Sequence, residues 1–458
     1  MTNTPYDYHE IENLYENIAN ETLETEDDDN FEQEDNLNTR TGGSNKLSAI
    51  FLIINAALGA GLLNFPQAFD EAGGIVTAVS VQAVLLVCIS LGLLILVHSS
   101  FQVKAVTLQD TLQGVCGSAT SVVCSLLIAL YCFGTCVTFL IIIGDQFDRV
   151  LMSLVGPDFC HTWYMNRRCT ITISAISLIL PLCFSKRIDF LKYVSSLGVA
   201  AVLYVVGLVI YQYYTGNFIP GPIKTQPNHW TDLFYVVPVI CFGYQCHVSA
   251  IPIYSCMWDR SIISFSVVVT VALAVCTAAY TLTGSYGYLT FGSNVSSDVL
   301  QSYGGAEVSV LLGILAIAIK TITTYPILLY CGREAVNNVW CGLLKDGDLA
   351  TGEQKRRIII ASIWFTLTVL LAVVSPDIGV VIDALGSLAA VFIFIFPGIC
   401  CLQINLHRDP TLITSRTRWS VLGAIIFMST GAFIFGVVLV QTGERLIKET
   451  EAPVKLCV

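Results

Sequence analysis

The stretch Asn55-Ala-Ala-Leu-Gly-Ala-Gly-Leu-Leu-Asn-Phe-Pro66 lies inside the first apolar run of the chain, residues 47–69. That run is long enough to cross a bilayer, which takes about 20 residues. Glycine weakens a helix and proline removes a hydrogen-bond donor, so the stretch disfavours a continuous rod. Inside lipid, free backbone groups are tolerated only where protein buries them or where they line a cavity. The stretch therefore predicts a membrane helix that breaks at Leu58 to Gly61 and faces a ligand there.

A second apolar run, residues 232–255, has a similar interruption. Gly243 lies in its middle, followed by Tyr244, Gln245 and His247. Interrupted helices at matching positions in two halves of a chain point to a transporter binding site. The alternative is two ordinary kinks at glycine and proline, which are common in membrane helices. On the first interpretation, spans one to five and six to ten are inverted repeats, and an eleventh span is added.

The composition is that of a membrane protein that crosses the bilayer many times. The chain has 458 residues, of which 54% are hydrophobic and only 12% are charged, whereas soluble domains are about a quarter charged. Residues 1–46 account for the whole net charge of −11. The acidity therefore belongs to a tail and gives no indication of a nucleic-acid partner.

The hydropathy pattern divides the chain into an acidic, disordered tail (1–46), an eleven-helix body (47–441) and a short C-terminal tail (442–458). Lys and Arg placement favours a cytoplasmic N-terminus and an extracellular or lumenal C-terminus. The eleven spans are expected at 47–69, 75–98, 119–147, 169–185, 189–214, 232–255, 262–289, 307–330, 357–375, 378–403 and 418–441.

Sequence features outside the spans concern covalent modification of the protein and its sorting to a membrane. Cys160 and Cys169 share a polar loop on the oxidising side, where a disulfide could persist. Asn294 begins a glycosylation sequon on the same side. Tyr8 and Tyr15 each begin the tyrosine-x-x-apolar pattern that endosomal and lysosomal sorting adaptors recognise. We expect the chain in the lysosomal membrane or the plasma membrane.

Helix ends explain why a break suits a zwitterion. The amino end of a helix favours a carboxylate, and the carboxyl end favours a cation. A sodium ion prefers oxygen ligands, which Asn55 and the carbonyls near Leu58 can supply. Thr324, just before Pro326 in span eight, offers a hydroxyl, although threonines in membrane helices often bond back to their own helix.

Five motifs carry a resemblance to a known family. The chain resembles the sodium-coupled neutral amino acid transporters, the system A/N branch of the amino acid and auxin permeases, from about Ser48 to Val440. Within that branch it is most similar to a lysosomal, glutamine-exporting member. The resemblance implies an all-α fold of eleven transmembrane helices with a LeuT-type 5+5 inverted repeat plus one helix. The motifs are Asn55 to Pro66, Ile142-Ile-Gly-Asp-Gln146, Cys241-Phe-Gly-Tyr-Gln-Cys-His-Val-Ser249, Thr324-Tyr-Pro-Ile327 and Cys331-Gly-Arg333.

The resemblance also implies roles for individual residues. Asn55 and Thr324 match the family's sodium ligands, with sodium as the coupling ion and no other cofactor. The family's usual substrates are glutamine, asparagine, histidine and alanine. The positions that match its substrate site are Leu58, Gly59, Ala60, Gly61, Phe242, Gly243, Tyr244 and Gln245.

Lys320 departs from the family pattern, which has a small or apolar residue there. Its side chain either snorkels to an interface, pairs with an acid on another span, or brings a fixed ammonium to the cation site and makes transport sodium-independent. His247 is either a hydrogen-bonded core histidine or a sensor of lumenal pH. Asp145 and its neighbours are expected to be solvated, and no partner can be named for Asp383.

The sequence therefore predicts a secondary transporter of neutral amino acids that works by alternating access and couples to sodium. It contains no nucleophile with a base and no phosphate loop, so an enzyme is not expected. One alternative is a sodium-independent or proton-coupled lysosomal exporter. The other, from a different class, is an amino acid sensor that signals through its acidic tail.

Overall fold

The computed structural model describes residues 44–156, 165–183, 189–304, 307–343, 353–374, 378–407 and 415–451. Positions 1–43 of the expected disordered tail, which include Tyr8 and Tyr15, lie outside the described residues. Cys160 lies outside them as well, so its pairing with Cys169 stays a prediction.

The described chain is built from helices. The first half contains α1 (Lys46–Ala57), α2 (Phe65–Glu71), α3 (Ile75–Val103), α4 (Leu108–Cys116), α5 (Ser118–Val155), α6 (Arg167–Ser174), α7 (Leu180–Cys183) and α8 (Asp189–Thr215). The second half contains α9 (Val236–Gly243), α10 (His247–Cys256), α11 (Ile262–Phe291), α12 (Val299–Ser302), α13 (Val308–Leu343), α14 (Glu353–Val374), α15 (Ile378–Ala390), α16 (Phe396–Leu406) and α17 (Ser415–Glu451). The prediction of an all-helical membrane protein is confirmed.

The number of membrane spans agrees roughly with the predicted eleven. Nine spans in the described chain are long and apolar enough to cross a bilayer, and α1 together with the segment 60–71 forms a tenth, bent by 51°. The predicted fourth span corresponds to α6, a π-helical turn (Ala175–Ile179) and α7. These pieces follow one another without a gap, so residues 167–183 form one helical segment with a π-helical turn in its middle. At the other end of the chain, α17 continues to Glu451, past the predicted end at 441.

Side-chain caps and glycines set several helix boundaries. The Asn45 side chain accepts from the backbone N–H of Lys46 at 2.7 Å, where α1 begins. Ser261 caps α11 in the same way through Ser264, at 3.1 Å. Gly74 precedes α3 with φ of +115°, and a Cβ there would lie 2.3 Å from the Lys224 carbonyl oxygen. Polar residues at helix starts satisfy N–H groups that have no partner inside the helix.

The two interrupted spans lie at the centre of the bundle. Helix α11 packs against α1 and α2, and α9 packs against α15. The approach of α9 to α15 is especially close, because a Cβ on Gly386 would lie 2.2 Å from the Pro238 carbonyl oxygen. Helices α11 and α15 therefore hold the two interrupted spans in place.

A buried polar cluster at the end of α5 corrects the expectation that its acids are solvated. Asp145, Gln146 and Asp148 are all buried. The Arg167 guanidinium forms an ion pair with Asp145 and lies 3.2 Å from Asp148 Oδ2, and Gln146 Nε2 donates to Asp298 Oδ2 at 2.7 Å. The partners come from α6 and from the segment before α12, so the sequence around α5 could not indicate them.

This cluster predicts a pH dependence of stability at Asp298, which lies between spans. Burial raises its pKa from the ordinary 3.8 to about 6, although the Leu300 N–H, Gln146, Arg149 and Arg167 act in the opposite direction. Folding therefore favours the protonated acid. This stabilisation is complete below pH 3.8 and is lost as pH rises through about 6, an effect of about 3 kcal/mol.

The Asp298→Asn variant isolates the effect, since its amide is neutral at every pH. We expect the variant to gain thermal stability relative to the wild type between pH 4 and pH 7. Melting curves of the purified protein in detergent measure this difference. Parallel curves for the two proteins across that range would contradict the burial argument.

Candidate functional site

The first break lies near its predicted position. Helix α1 ends at Ala57, and Leu58 leaves the helix with φ of −70° and ψ of +91°. Only Leu58 and Gly59 are non-helical, because Ala60 and Gly61 already belong to a 3₁₀ turn (Ala60–Asn64). Pro66 then opens α2, where a missing N–H is tolerated.

The second break lies slightly later than predicted. Phe242 and Gly243 still belong to the end of α9. Tyr244, Gln245 and Cys246 are non-helical, and α10 begins at His247. Both predicted interruptions are therefore present, with bounds that differ by one or two residues.

Residues that directly flank the two breaks are in close contact. A Cβ on Gly61 would lie 3.1 Å from Phe242 Cδ1 and 3.4 Å from Gly243 Cα. Such spacing leaves little room for a larger residue at position 61. The eight predicted substrate-site residues are buried, except Gly59, which is half-buried. The structure therefore brings both groups of predicted residues to one place in the interior.

Tyr280 of α11 joins the breaks and was not identified from the sequence. Its hydroxyl lies 2.7 Å from the Ala57 carbonyl oxygen and 2.8 Å from that of Gly243, at the ends of α1 and α9. Its ring stacks on Phe65 with centroids 4.3 Å apart and 7° between the planes. A tyrosine within an apolar helix carries no local signal of such a role, since its partners lie far away in sequence.

A polar chain fixes the second break from the side of α3 and α11. Gln82 Nε2 donates to the Tyr244 hydroxyl at 2.7 Å, and that hydroxyl donates to Thr277 Oγ1 at 2.9 Å. Thr281 Oγ1 donates to Gln82 Oε1 at 3.3 Å. These contacts hold a buried polar side chain in one orientation.

The predicted cation ligands lie on α1 and α13, two helices that the Lys320 side chain links at the first break. Asn55 is half-buried in the last turn of α1. Thr324 is half-buried on α13, and its hydroxyl donates to the Lys320 carbonyl oxygen at 2.7 Å, which leaves its oxygen lone pairs available. Lys320 itself donates from Nζ to the Leu58 carbonyl oxygen. Helix α13 thus reaches the break directly.

His247 lies in packed interior at the start of α10. It is fully buried, and its Nδ1 lies 3.0 Å from Gln245 Oε1. Its Nε2 would lie 3.3 Å from a Cβ on Gly92 of α3. The contact with Gln245 links the histidine to the second break, and its role in pH sensing stays a prediction.

Charged side chains hold one end of the first span. Arg445 of α17 contacts Glu71 Oε2 at 2.5 Å and Asp383 Oδ2 at 3.0 Å. Lys224 Nζ lies 3.0 Å from Asp70 Oδ2. Arg445 is the partner of Asp383 that the sequence could not supply, and it connects α2, α15 and α17.

Backbone hydrogen bonds hold the opposite end of that span. The Ser44 N–H donates to the Cys256 carbonyl at 2.8 Å, and the Trp258 N–H donates to the Ser44 carbonyl at 3.1 Å. The beginning of α1 is thereby joined to the end of α10. Both interrupted spans are therefore tied together at an end as well as at their breaks.

Outside the bundle, Asn294 of the predicted sequon is exposed and ends a short 3₁₀ turn, Gly292–Asn294.

Two broken helices that meet at the centre of a helical membrane bundle are the arrangement typical of membrane transporters. The family described as transmembrane amino acid transporter protein matches residues 42–442. The chain belongs to this family. It is accordingly a multi-pass membrane transporter and not an enzyme.

Individual relatives share much of their length with the chain. It is 43% identical over 403 residues to sodium-coupled neutral amino acid transporter 7 of Danio rerio, covering 86% of each chain. It is 41% identical to the Homo sapiens protein of that name, covering 86% of this chain and 87% of the relative. It is 36% identical to solute carrier family 38 member 8 of Homo sapiens, covering 85% of this chain and 92% of the relative.

A solved structure supports the fold. The crystal structure of MhsT in complex with L-phenylalanine is similar to this chain with a TM-score of 0.56 at 13% identity. The similarity covers 87% of this chain and 100% of that one. The predicted LeuT-type fold is confirmed by this likeness.

Proposed function

We propose that this chain is a secondary transporter that binds a neutral amino acid between its two helix breaks and moves it by alternating access. The observation that carries the proposal is the Tyr280 hydroxyl, which joins the carbonyl ends of both broken helices. A backbone site of this kind suits a zwitterion. The carboxyl end of α1 favours an ammonium group, and the amino end of α10 favours a carboxylate.

Glutamine and asparagine are the proposed substrates. The residues of the two predicted breaks carry no charged side chain, which suits a neutral amino acid. Gln245 lies buried in the second break, and its amide can exchange hydrogen bonds with another amide. The relatives named as neutral amino acid transporters support the same class.

Two candidates exist for the driving ion. Sodium, bound by Asn55 and Thr324 as cargo, is supported by the relatives' names. Transport without sodium is favoured by one specific observation, the contact of the Lys320 ammonium with the Leu58 carbonyl. As to location, we propose the lysosomal membrane with the N-terminus in the cytoplasm, delivered through Tyr8 and Tyr15.

Uptake by the purified, reconstituted protein tests the proposal. Liposomes are offered radiolabelled glutamine, asparagine, histidine, alanine, glutamate and arginine, each in sodium and in choline buffer. We expect uptake of the neutral amino acids above that of protein-free liposomes, with glutamine or asparagine highest. Uptake confined to glutamate or arginine, or none in either buffer, would contradict the proposal.

A further inference from the structure

The Lys320 side chain extends from α13 along α8 to the first break. The side chain starts on α13, and a Cβ on Gly198 of α8 would lie 3.4 Å from its Cγ and 3.6 Å from its Cδ. The stem therefore packs along α8 at Gly198, where an added Cβ would make ordinary van der Waals contact with it. Its ammonium ends at the Leu58 carbonyl oxygen.

The surroundings of Lys320 disfavour both ordinary interpretations of an intramembrane lysine. Only 7% of the residue is exposed, so it does not snorkel to an interface. Throughout the described ranges, no carboxylate forms an ion pair with it. A buried ammonium without an acid is costly in a membrane, and such residues generally mark a function.

The contacted oxygen is one that a bound cation would use. Leu58 follows α1, and its N–H still bonds to the Ile54 carbonyl at 2.7 Å, while its own carbonyl points out of the helix toward Lys320. The preceding carbonyl, of Ala57, accepts from Tyr280. Helix carboxyl ends attract cations, and sodium prefers carbonyl oxygens. Side chains of α11 and α13 thus satisfy two consecutive carbonyls at the break.

We propose that Lys320 is a tethered cation that takes the place of sodium at the first break, so that the substrate site stays assembled without sodium. This proposal rests on the proposed function, transport at the two breaks. Lys320 acts as a positioning residue, because it holds the backbone of Leu58 rather than the amino acid. Sodium dependence is then weak in the wild type and becomes strong when the ammonium is removed.

The test compares glutamine binding and uptake by wild type and Lys320→Met in sodium and choline buffers. We expect the wild type to differ less than about threefold between buffers, and Lys320→Met to lose about tenfold or more in choline, the scale of a charged hydrogen bond. Sodium should restore most of that loss. Lys104→Met, at an exposed lysine after α3, is the matched control and should behave as wild type.

Two further variants separate charge from shape. Lys320→Arg keeps a cation and should keep sodium-free transport, whereas Lys320→Gln keeps a donor without charge and should become sodium-dependent. If Lys320→Met fails to fold, the Lys320→Gln result decides. A wild type that strictly requires sodium, with the same requirement in Lys320→Gln, overturns the tethered-cation proposal but leaves the proposed function intact. A wild type without uptake in either buffer overturns the proposed function instead.

Discussion

Tyr280→Phe should reduce amino acid transport about tenfold to a hundredfold, because a buried carbonyl left without its donor costs about 1–3 kcal/mol. The hydroxyl shares one hydrogen between the Ala57 and Gly243 carbonyls, so its loss affects both breaks together. The phenylalanine ring can still stack on Phe65. We therefore expect a folded protein with impaired transport, measured as initial uptake rates in liposomes at equal protein content.

Tyr286→Phe is the matched control for this experiment. Tyr286 lies on the same helix, and its hydroxyl lies 3.3 Å from that of Tyr214 in an exposed contact. Its loss should leave uptake within about twofold of wild type, since exposed hydrogen bonds contribute little. If Tyr280→Phe transported as fast as Tyr286→Phe, the two breaks would not depend on the bridging hydroxyl.

The second large effect is expected from Gly386→Ala. The added Cβ would lie 2.2 Å from the carbonyl oxygen of Pro238 and 2.4 Å from its Cα, and neither backbone atom can turn aside. Helices α9 and α15 must then separate, at a cost of about 1–3 kcal/mol or more. Because α9 ends at the second break, its displacement also disturbs the proposed site. The uptake rate should therefore fall by more than the loss of thermal stability accounts for.

Thermal melting and uptake of the purified variant measure both effects. Gly423→Ala is the control, since Gly423 is a helical glycine on α17 and, apart from the backbone of its own helix and its chain neighbours, no atom lies within 4 Å of the position of an added Cβ. It should melt and transport as wild type does. Wild-type melting and uptake in Gly386→Ala would show that α9 and α15 are not in close contact.

The fold was largely predictable from the sequence because its main signals are local. Glycine and proline inside apolar runs placed both breaks, at Leu58 and Gly59 and at Tyr244 to Cys246, within one or two residues. The exact limits could not be predicted, because Ala60 and Gly61 continue as a 3₁₀ turn rather than as open backbone. Gly61 of that turn packs against Phe242, a residue far along the chain whose contact the local sequence does not indicate.

The contacts around the site were not predictable, because they join residues far apart in the chain. Tyr280 bonds to Ala57, and Arg445 contacts Asp383, through helices that only the tertiary fold brings together. Asp145 was wrongly expected to be solvated for the same reason, since its partner Arg167 belongs to another helix. Lys320 differed: its unusual charge within an apolar span indicated a special position before its partner was known.

The central claim is that the two broken helices together hold the amino acid. A structure of the full-length protein in lipid nanodiscs with saturating glutamine tests this most directly. We predict the ligand between Leu58 to Gly61 and Tyr244 to Gln245, with its charged groups on the backbone of both breaks. A continuous helix at either position, or glutamine bound away from both breaks, would contradict the account.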